Sequence, residues 1–299
     1  MITFPNAKLN IGLNIVSKRK DGYHNIETVF YPIPLRDVLE IVPAGGDKTT
    51  FTQTGLLIEG QPEDNLVMKA YRLLAQDREP IDIYLRKHIP FGAGLGGGSA
   101  DAAFMLKILN EYYQLNLSAL QLEKYAAQLG ADCPFFIQNQ PVFAEGIGNV
   151  FTPVELSLSG YHIVLVKPDI HIPTPEAYAG VTPKAPEISI KDIIKLPVRE
   201  WRGVLHNDFE DSIFPQYPEI KLIKDRLYDC GALYASMSGS GSSVYGIYEE
   251  APEMEENLFP DAIASRPSVF SCLVPTLHSI YSTASADSLT LSTRRYYTS

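Results

Sequence analysis

Apolar side chains fall on every second residue at Leu9, Ile11, Leu13 and Ile15, the period of a strand that turns one face inward. Lys8–Val16 is therefore expected to be extended. Ile26–Ile33 reads as a second β-rich run, with a turn at Asp21-Gly22 between the two. Asp37–Val42 alternates again. Ala44–Gly60 scatters Gly45-Gly46, Gly55 and Gly60 among short Thr- and Leu-bearing pieces, so hairpins are expected there. Ile81-Asp82-Ile83-Tyr84-Leu85 is a clean strand that runs through Lys87-His88-Ile89-Pro90 into a cluster of glycines.

Three segments carry the longer helical period. Asp64–Leu74 places Leu66, Ala70, Leu73 and Leu74 to suit a helix opened by Asp64 or Asn65. From Ser99, with Ser99 itself as a candidate N-cap, residues Ala103, Phe104, Leu106, Ile108 and Leu109 predict a buried helix lasting to about Tyr113. Ser118 lies three residues before Gln121, a capping box. Leu122, Tyr125, Ala126 and Leu129 form the face behind it, and Gly130 is expected to close it as a C′ glycine.

A composition shift near Gly146–Pro153 marks the expected end of a first domain, residues 1–152, with a second over 153–274. In the second, Tyr161–Val166 reads as a near-continuous apolar strand and Pro168–Pro197 as proline-rich loops around short helices. Tyr217–Tyr228 is an amphipathic helix, and Ala232–Tyr248 holds a serine-glycine turn between β-like segments. Residues 275–299 are rich in Ser and Thr with little periodicity and read as a loosely ordered tail. The fold class expected is α+β, in two parts.

Of the 299 residues, 45% are hydrophobic and 20% charged, enough apolar material for a sizeable core. The formal net charge of −10 leaves no broad basic field of the kind nucleic-acid or anionic-membrane binders use. An anionic small molecule would need a local basic site. Lys18-Arg19-Lys20 with His24 offers one, or is simply a solvated turn. Cys133, Cys230 and Cys272 are far apart and the histidines show no ligand spacing, so no dedicated protein metal site is expected. The N-terminus lacks a leader pattern and no apolar run reaches the ~20 residues of a membrane helix. A reducing, cytoplasmic setting follows as the expectation.

The chemistry is concentrated in Pro90-Phe91-Gly92-Ala93-Gly94-Leu95-Gly96-Gly97-Gly98-Ser99-Ala100. Glycines in this number carry a large conformational entropy cost on folding, which makes sense where backbone must approach something closely. A strand, a glycine loop and a helix in that order aim backbone N–H groups and the positive end of a helix dipole at one point, an arrangement suited to phosphate. No Lys follows the loop, so the P-loop pattern fails. Gly92-x-Gly94-x-x-Gly97 matches the dinucleotide fingerprint, but the acidic residue about twenty positions on, Glu111, falls inside the expected helix instead of ending a second strand.

The loop resembles the ATP loop of the galactokinase, homoserine kinase, mevalonate kinase and phosphomevalonate kinase superfamily. Its Gly-Leu-Gly-Gly-Gly-Ser form is similar to that of the branch acting on a methylerythritol that carries a cytidine diphosphate group. Ala7-Lys8-Leu9-Asn10, Asp21-Gly22-Tyr23-His24 and Gly130-Ala131-Asp132-Cys133-Pro134-Phe135-Phe136 agree in order. So do Ile172-Pro173-Thr174, Asn207-Asp208-Phe209-Glu210 and Ser238-Gly239-Ser240-Gly241. The resemblance implies an N-terminal ribosomal-protein-S5-like domain and a C-terminal ferredoxin-like α/β sandwich, with ATP and substrate meeting between them. It also implies ATP as co-substrate with Mg²⁺, and phosphorylation of the substrate's 2-hydroxyl in non-mevalonate isoprenoid precursor synthesis. No nucleic-acid or membrane partner is implied, and the assembly is a monomer or homodimer.

The same resemblance assigns Asp132 as the group that accepts or orients the hydroxyl, and Lys8 as the cation that keeps it ionised and offsets transition-state charge. Without it, Asp132 reads as a turn residue and Lys8 as a solvent-facing strand residue. Asn10, Tyr23, His24 and Thr174 match substrate-contacting positions, Tyr23 and His24 bracketing a cytosine ring. Lys87 is expected to reach the nucleotide phosphates as a point charge, or to be solvated at its strand end. Ser238–Ser242 resembles the superfamily's third motif, near the substrate. Cys133 is read as a small buried filler. Three other readings stay open: a homoserine- or mevalonate-type kinase, a nicotinamide enzyme using Gly92–Gly97, and a non-catalytic nucleotide-binding protein.

Overall fold

The computed structural model describes residues 1–56, 61–75, 77–253 and 268–274. The expected 275–299 tail lies outside the described residues. Two compact units emerge, each built from more than one stretch of chain. One comprises Met1–Leu9, Val16–Phe91 and Leu95–Val154; the other comprises Asn10–Ile15, Gly92–Gly94 and the chain from Glu155 onward. Two short pieces of the N-terminal half are thus grouped with the C-terminal half, for reasons that lie in their hydrogen bonds.

The first unit opens with β1 (Ile2–Thr3), β2 (Asn6–Lys18), β3 (His24–Arg36), β4 (Val38–Pro43) and β5 (Thr50–Gly55). Next come helix α1 (Leu66–Ala75) and strand β6 (Ile81–Lys87). One four-stranded sheet has the order β1-β4-β6-β5. Leu39 pairs across from Leu85 and Ile41 from Ile83, and all four are buried, so the inward row of each strand meets the inward row of its neighbour. The expected hairpins at Ala44–Gly60 do not form in the described part. There β5 pairs parallel to β6, from Thr50 opposite Asp82 to Gly55 opposite Lys87. That pairing is non-local, which a local reading of turn residues could not anticipate.

Against this sheet pack α1 and α2 (Gly97–Tyr112), with α3 (Ala119–Ala126) and the short α4 (Phe135–Gln138) beside α2. The Asn65 side chain accepts from the Val67 N–H at the start of α1, so of the two residues expected to open it, Asn65 does. α2 begins at Gly97 with left-handed Gly96 as its N-cap, two residues earlier than expected, and Ser99 lies within the first turn. The Ser118/Gln121 capping box is present at α3, but that helix ends at Ala126. Gly130 follows a further turn at an ordinary negative φ and is not its C′ residue. A second sheet runs β2-β3-β7-β8, closed by β7 (Val142–Glu145) and β8 (Val150–Pro153).

The second unit contains β9 (His162–Lys167), α5 (Thr174–Ala179), α6 (Ile190–Ile193) and α7 (Phe209–Gln216). It continues with α8 (Pro218–Asp229), β10 (Tyr234–Met237), β11 (Val244–Tyr248) and β12 (Ser268–Leu273). Its sheet has the order β10-β11-β9-β12, every pairing antiparallel, with α8 packed on β10 and β11. The apolar run at Tyr161–Val166, the amphipathic segment and the two strands flanking the serine-glycine turn all appear where their periodicity puts them. α7 and β12 carry too little pattern to be read from the chain alone.

Candidate active site

Lys8 lies on β2 but does not face solvent, because it is only 4% exposed. Its ammonium stands 3.6 Å from Asp132 Oδ2 and 4.7 Å from the centroid of the Phe30 ring. Burial pushes the Lys8 ammonium below the ordinary lysine value, against the opposing pull of the Asp132 carboxylate. Asp132 sits in the turn after Gly130, its side chain one-third exposed. One partner is fixed in the core and the other opens to solvent.

The end of the glycine loop meets this pair. The Lys8 N–H donates to Leu95 O at 2.9 Å, tying strand to loop. Gly96 has φ +69, and a methyl group there would come within 3.0 Å of the Phe136 ring and 3.2 Å of Lys8 Cε. No other residue fits between the loop and the lysine stem. α2 starts immediately after, and helix geometry leaves the first-turn amides of Gly97, Gly98 and Ser99 without acceptors inside the helix. Those amides, the positive end of the dipole and a buried ammonium are gathered within the first unit, the combination an anionic group needs. Burial pushes the Cys133 thiol up to about 11, with the neighbouring Ser99 hydroxyl pulling the other way. Such a thiol stays protonated and is no nucleophile.

Lys87 departs from its expected place. It is 2% exposed, and its ammonium is held by the carboxylates of Asp37 and, at 2.7 Å, Asp101. Burial works against its charge, but Asp101 and Asp37 outweigh that and raise its pKa. Asp37 also accepts the backbone N–H groups of His88 at 2.5 Å and Ile89 at 2.9 Å. Lys87 is therefore a buried tie beneath the loop, not a point charge reaching outward. Gly97 lies over it, since a methyl group there would be 3.4 Å from Nζ. Neither Asp37 nor Asp101 was expected. Their signal was the register of Lys87, which shares its parity with inward Ile81, Ile83 and Leu85.

Tyr23 and His24 stand at the turn into β3, Tyr23 62% exposed and His24 half-buried. In the same turn Arg19 is engaged by the Asp21 carboxylate and by Asn25, so one cation of the basic run is already neutralised. Pro90 is half-buried and Phe91 exposed.

The second unit holds the remaining expected residues. Gly94 has φ +73, and a methyl group on it would lie 2.0 Å from Ser238 O, so backbone abuts backbone there. Ala93 is buried beside it. Asn10 is buried, and its N–H donates to Ser238 Oγ at 3.1 Å. Thr174 opens α5 and is exposed. His171, which no pattern singled out, packs its ring against Gly92.

Residues 65–144 match the GHMP kinases N terminal domain and residues 190–261 match GHMP kinases C terminal. The chain is 62% identical over 252 residues to the 4-diphosphocytidyl-2-C-methyl-D-erythritol kinase of Bacteroides fragilis, covering 83% of this chain and 92% of that protein. The chain belongs to the 4-diphosphocytidyl-2-C-methyl-D-erythritol kinase family of GHMP kinases. The family's Bacteroides thetaiotaomicron member is likewise 62% identical, over 86% of this chain and 95% of its own length. A crystal structure of 4-(cytidine 5'-diphospho)-2C-methyl-D-erythritol kinase superposes with a TM-score of 0.75 at 31% identity, covering 91% of this chain and 98% of that one. The Methanococcus jannaschii mevalonate kinase shares the fold, with a TM-score of 0.64 at 14% identity over 92% of this chain and 98% of its own. Membership makes the chain a small-molecule kinase of the two-domain α+β type and removes the dinucleotide reading of Gly92–Gly97. Glu111 does lie inside α2.

Proposed function

We propose that the chain transfers the γ-phosphoryl group of ATP to the 2-hydroxyl of 4-diphosphocytidyl-2-C-methyl-D-erythritol. The observation that carries the chemistry is the Lys8–Asp132 pair, 3.6 Å apart, with the Lys8 stem against Gly96 of the glycine loop. The choice of acceptor rests on relatives at 62% identity that bear that substrate in their names. In this reading residues 1–152 carry the nucleotide and catalytic groups and residues 153–274 complete the enzyme.

Phosphoryl transfer asks the protein for in-line placement and charge neutralisation more than covalent work. The acceptor oxygen forms a bond to the γ-phosphorus as the bridging bond to the β-phosphate breaks, and ADP leaves. Asp132 holds the acceptor hydroxyl and takes its proton. Lys8 faces that carboxylate and the charge that builds on the equatorial oxygens. The amides of Gly96, Gly97, Gly98 and Ser99 cradle the phosphates. Mg²⁺ would come with the nucleotide and would neutralise phosphate charge; the described residues offer no cluster of three His, Cys, Asp or Glu side chains able to hold a metal. The Ser99 hydroxyl would be an oxygen donor of the hard type such an ion takes. Tyr23, through its exposed ring, and His24 receive the cytosine, while Asn10 and Thr174 contact the rest of the substrate.

ADP release measured with ATP, Mg²⁺ and a panel of alcohols tests this. Turnover is expected with the cytidine-diphosphate substrate. Turnover of homoserine or mevalonate, with none for that substrate, overturns the assignment.

A further inference from the structure

The Asn207-Asp208-Phe209-Glu210 stretch stands apart from the groups described so far, yet Asn207 and Glu210 are buried, Asp208 is half-buried, and all three are hydrogen-bonded. Asn207, with no exposure, donates from Nδ2 to Met237 O at 2.8 Å and to Gly239 O at 2.9 Å. Glu210, 2% exposed, accepts from the Met237 N–H at 2.8 Å and from Ser236 Oγ at 3.0 Å, and the Lys224 ammonium neutralises it. Asp208 accepts from the Ile15 N–H at 2.7 Å and from Asn14 Nδ2 at 3.3 Å. Two buried side chains thus grip the peptides on either side of Ser238, and a third grips the end of the Asn10–Ile15 segment.

Ser238 spends its single hydroxyl on two functional segments at once. Oγ donates to Gly94 O at 2.9 Å and accepts from the Asn10 N–H at 3.1 Å. The other side of the Asn10 peptide is also held, because the Tyr245 hydroxyl donates to Asn10 O at 3.0 Å. Gly239 completes the contact: a methyl group there would stand 3.2 Å from Asn10 Oδ1 and 3.5 Å from Gly94 Cα. All of these groups lie in the second unit.

We infer that Ser238 is a positioning residue that sets the spacing between the nucleotide loop at Gly94 and the acceptor-binding Asn10, with Asn207 and Glu210 as the buried anchors that aim it and Tyr245 as the second hold on Asn10. This rests on the assignment of Gly94 to the nucleotide and Asn10 to the acceptor made above. Loss of the Ser238 hydroxyl removes one hydrogen bond from the half-buried Gly94 carbonyl and one from the buried Asn10 amide, and both segments relax. Loss of the Tyr245 hydroxyl frees Asn10 alone. The two variants therefore carry different kinetic signatures, which damage to the fold in general would not produce.

The test is steady-state kinetics of the full chain in both substrates, beside thermal melts. Ser238→Ala is expected to raise KM for ATP and KM for the acceptor together, each at least five-fold, and to lower kcat. Tyr245→Phe is expected to raise KM for the acceptor at least three-fold and leave KM for ATP within two-fold. Unchanged KM values in Ser238→Ala, or movement of only one of them, overturn the inference, whatever the melting temperature does. If Ser238→Ala does not fold, Tyr245→Phe decides alone: a rise confined to the acceptor supports the inference, and a rise in both or neither overturns it. Wild-type protein that fails to turn over the cytidine-diphosphate substrate sinks the functional assignment instead, so the two failures are distinct.

Discussion

The Lys8 ammonium is buried while the Asp132 carboxylate that it faces at 3.6 Å is one-third open. A charge fixed in the core beside one that can still meet a substrate is an asymmetric couple. Its cost falls on the lysine, whose pKa is depressed by burial and partly restored by the aspartate. Removing the carboxylate should leave the lysine poorly charged, and removing the lysine should leave an aspartate still solvated enough to keep the fold. Lys8→Met and Asp132→Asn are each expected to lower kcat by roughly 10²–10⁴ with far-ultraviolet circular dichroism unchanged. Near-normal turnover in either purified variant removes its assigned role.

The same couple fixes an alkaline limit. In the proposed mechanism activity needs the Lys8 ammonium, and its pKa is lowered from the ordinary 10.5, so kcat should fall as pH rises before an ordinary lysine would titrate. Lys8→Arg keeps a charge that does not titrate in this range. The variant should be slower at neutral pH, yet its profile should stay flat where wild type declines. An identical alkaline limb in both proteins would assign that limb to another group.

Lys87 between Asp37 and Asp101 makes an unequal trio. Burial first, and then the Asp37 charge, push the Asp101 carboxyl well above the ordinary 3.8. A carboxyl raised on folding favours the fold most below its unfolded value, and that contribution is lost as pH climbs through the folded one. At pH 7, above the ordinary 3.8, the raised Asp101 carboxyl is then a net cost to folding, and Asp101→Asn should hold or gain stability. Lys87, also raised, contributes fully below 10.5, and its share fades only as pH passes its higher folded value. Asp37 accepts from Lys87 and from the His88 and Ile89 amides, so Asp37→Asn should lose about 2–5 kcal/mol. Urea melts of the two variants at pH 7 check the contrast; equal losses would refute it.

Gly98 differs from its neighbours in the loop. Its φ is not left-handed, and the nearest atom to a methyl group built on it is Leu66 Cδ1 at 3.7 Å, an ordinary contact. The protein itself has no steric need for glycine there, in the first turn of α2. Gly98→Ala should therefore keep or slightly raise the melting temperature, by about 0.5–1 kcal/mol of stability. KM for ATP should rise, because phosphate oxygens cradled by the neighbouring amides come close to that position. An unchanged KM for ATP would place the phosphates elsewhere.

Much of this architecture was legible from period alone. Ile81–Lys87 alternates cleanly and is a strand with Ile81, Ile83 and Leu85 inward, and the capping box at Ser118 opens a helix as its chemistry demands. Period failed where partners are distant in sequence. β5 pairs in parallel with β6, and nothing within Ala44–Gly55 encodes that. Alternation also placed Lys8 outside with the polar row, because the pattern cannot reveal that β2 is covered on both faces at Lys8 and Asn10. At Lys87 the pattern was right and its implication was missed: a lysine in an inward row must bring its counter-charges with it. The loop was legible as a strand-to-helix junction of close backbone approach from its glycines. That Gly94 is needed for backbone contact and Gly96 for the lysine stem became visible only once their neighbours were in place.

The grouping of Asn10–Ile15 and Gly92–Gly94 with the C-terminal half bears on how this enzyme could be divided or recombined. A gene split after Val154 would yield a fragment that owns those two segments but not Ser238, Asn207 or Asp208, the side chains that hold them. Swapping C-terminal halves among related kinases would meet the same obstacle, since each donor must bring a serine-glycine turn fitted to a strand and a loop encoded by the other parent. The seam at which such chimaeras are best joined is set by those hydrogen bonds, and the position of residue 154 along the chain is a poor guide to it.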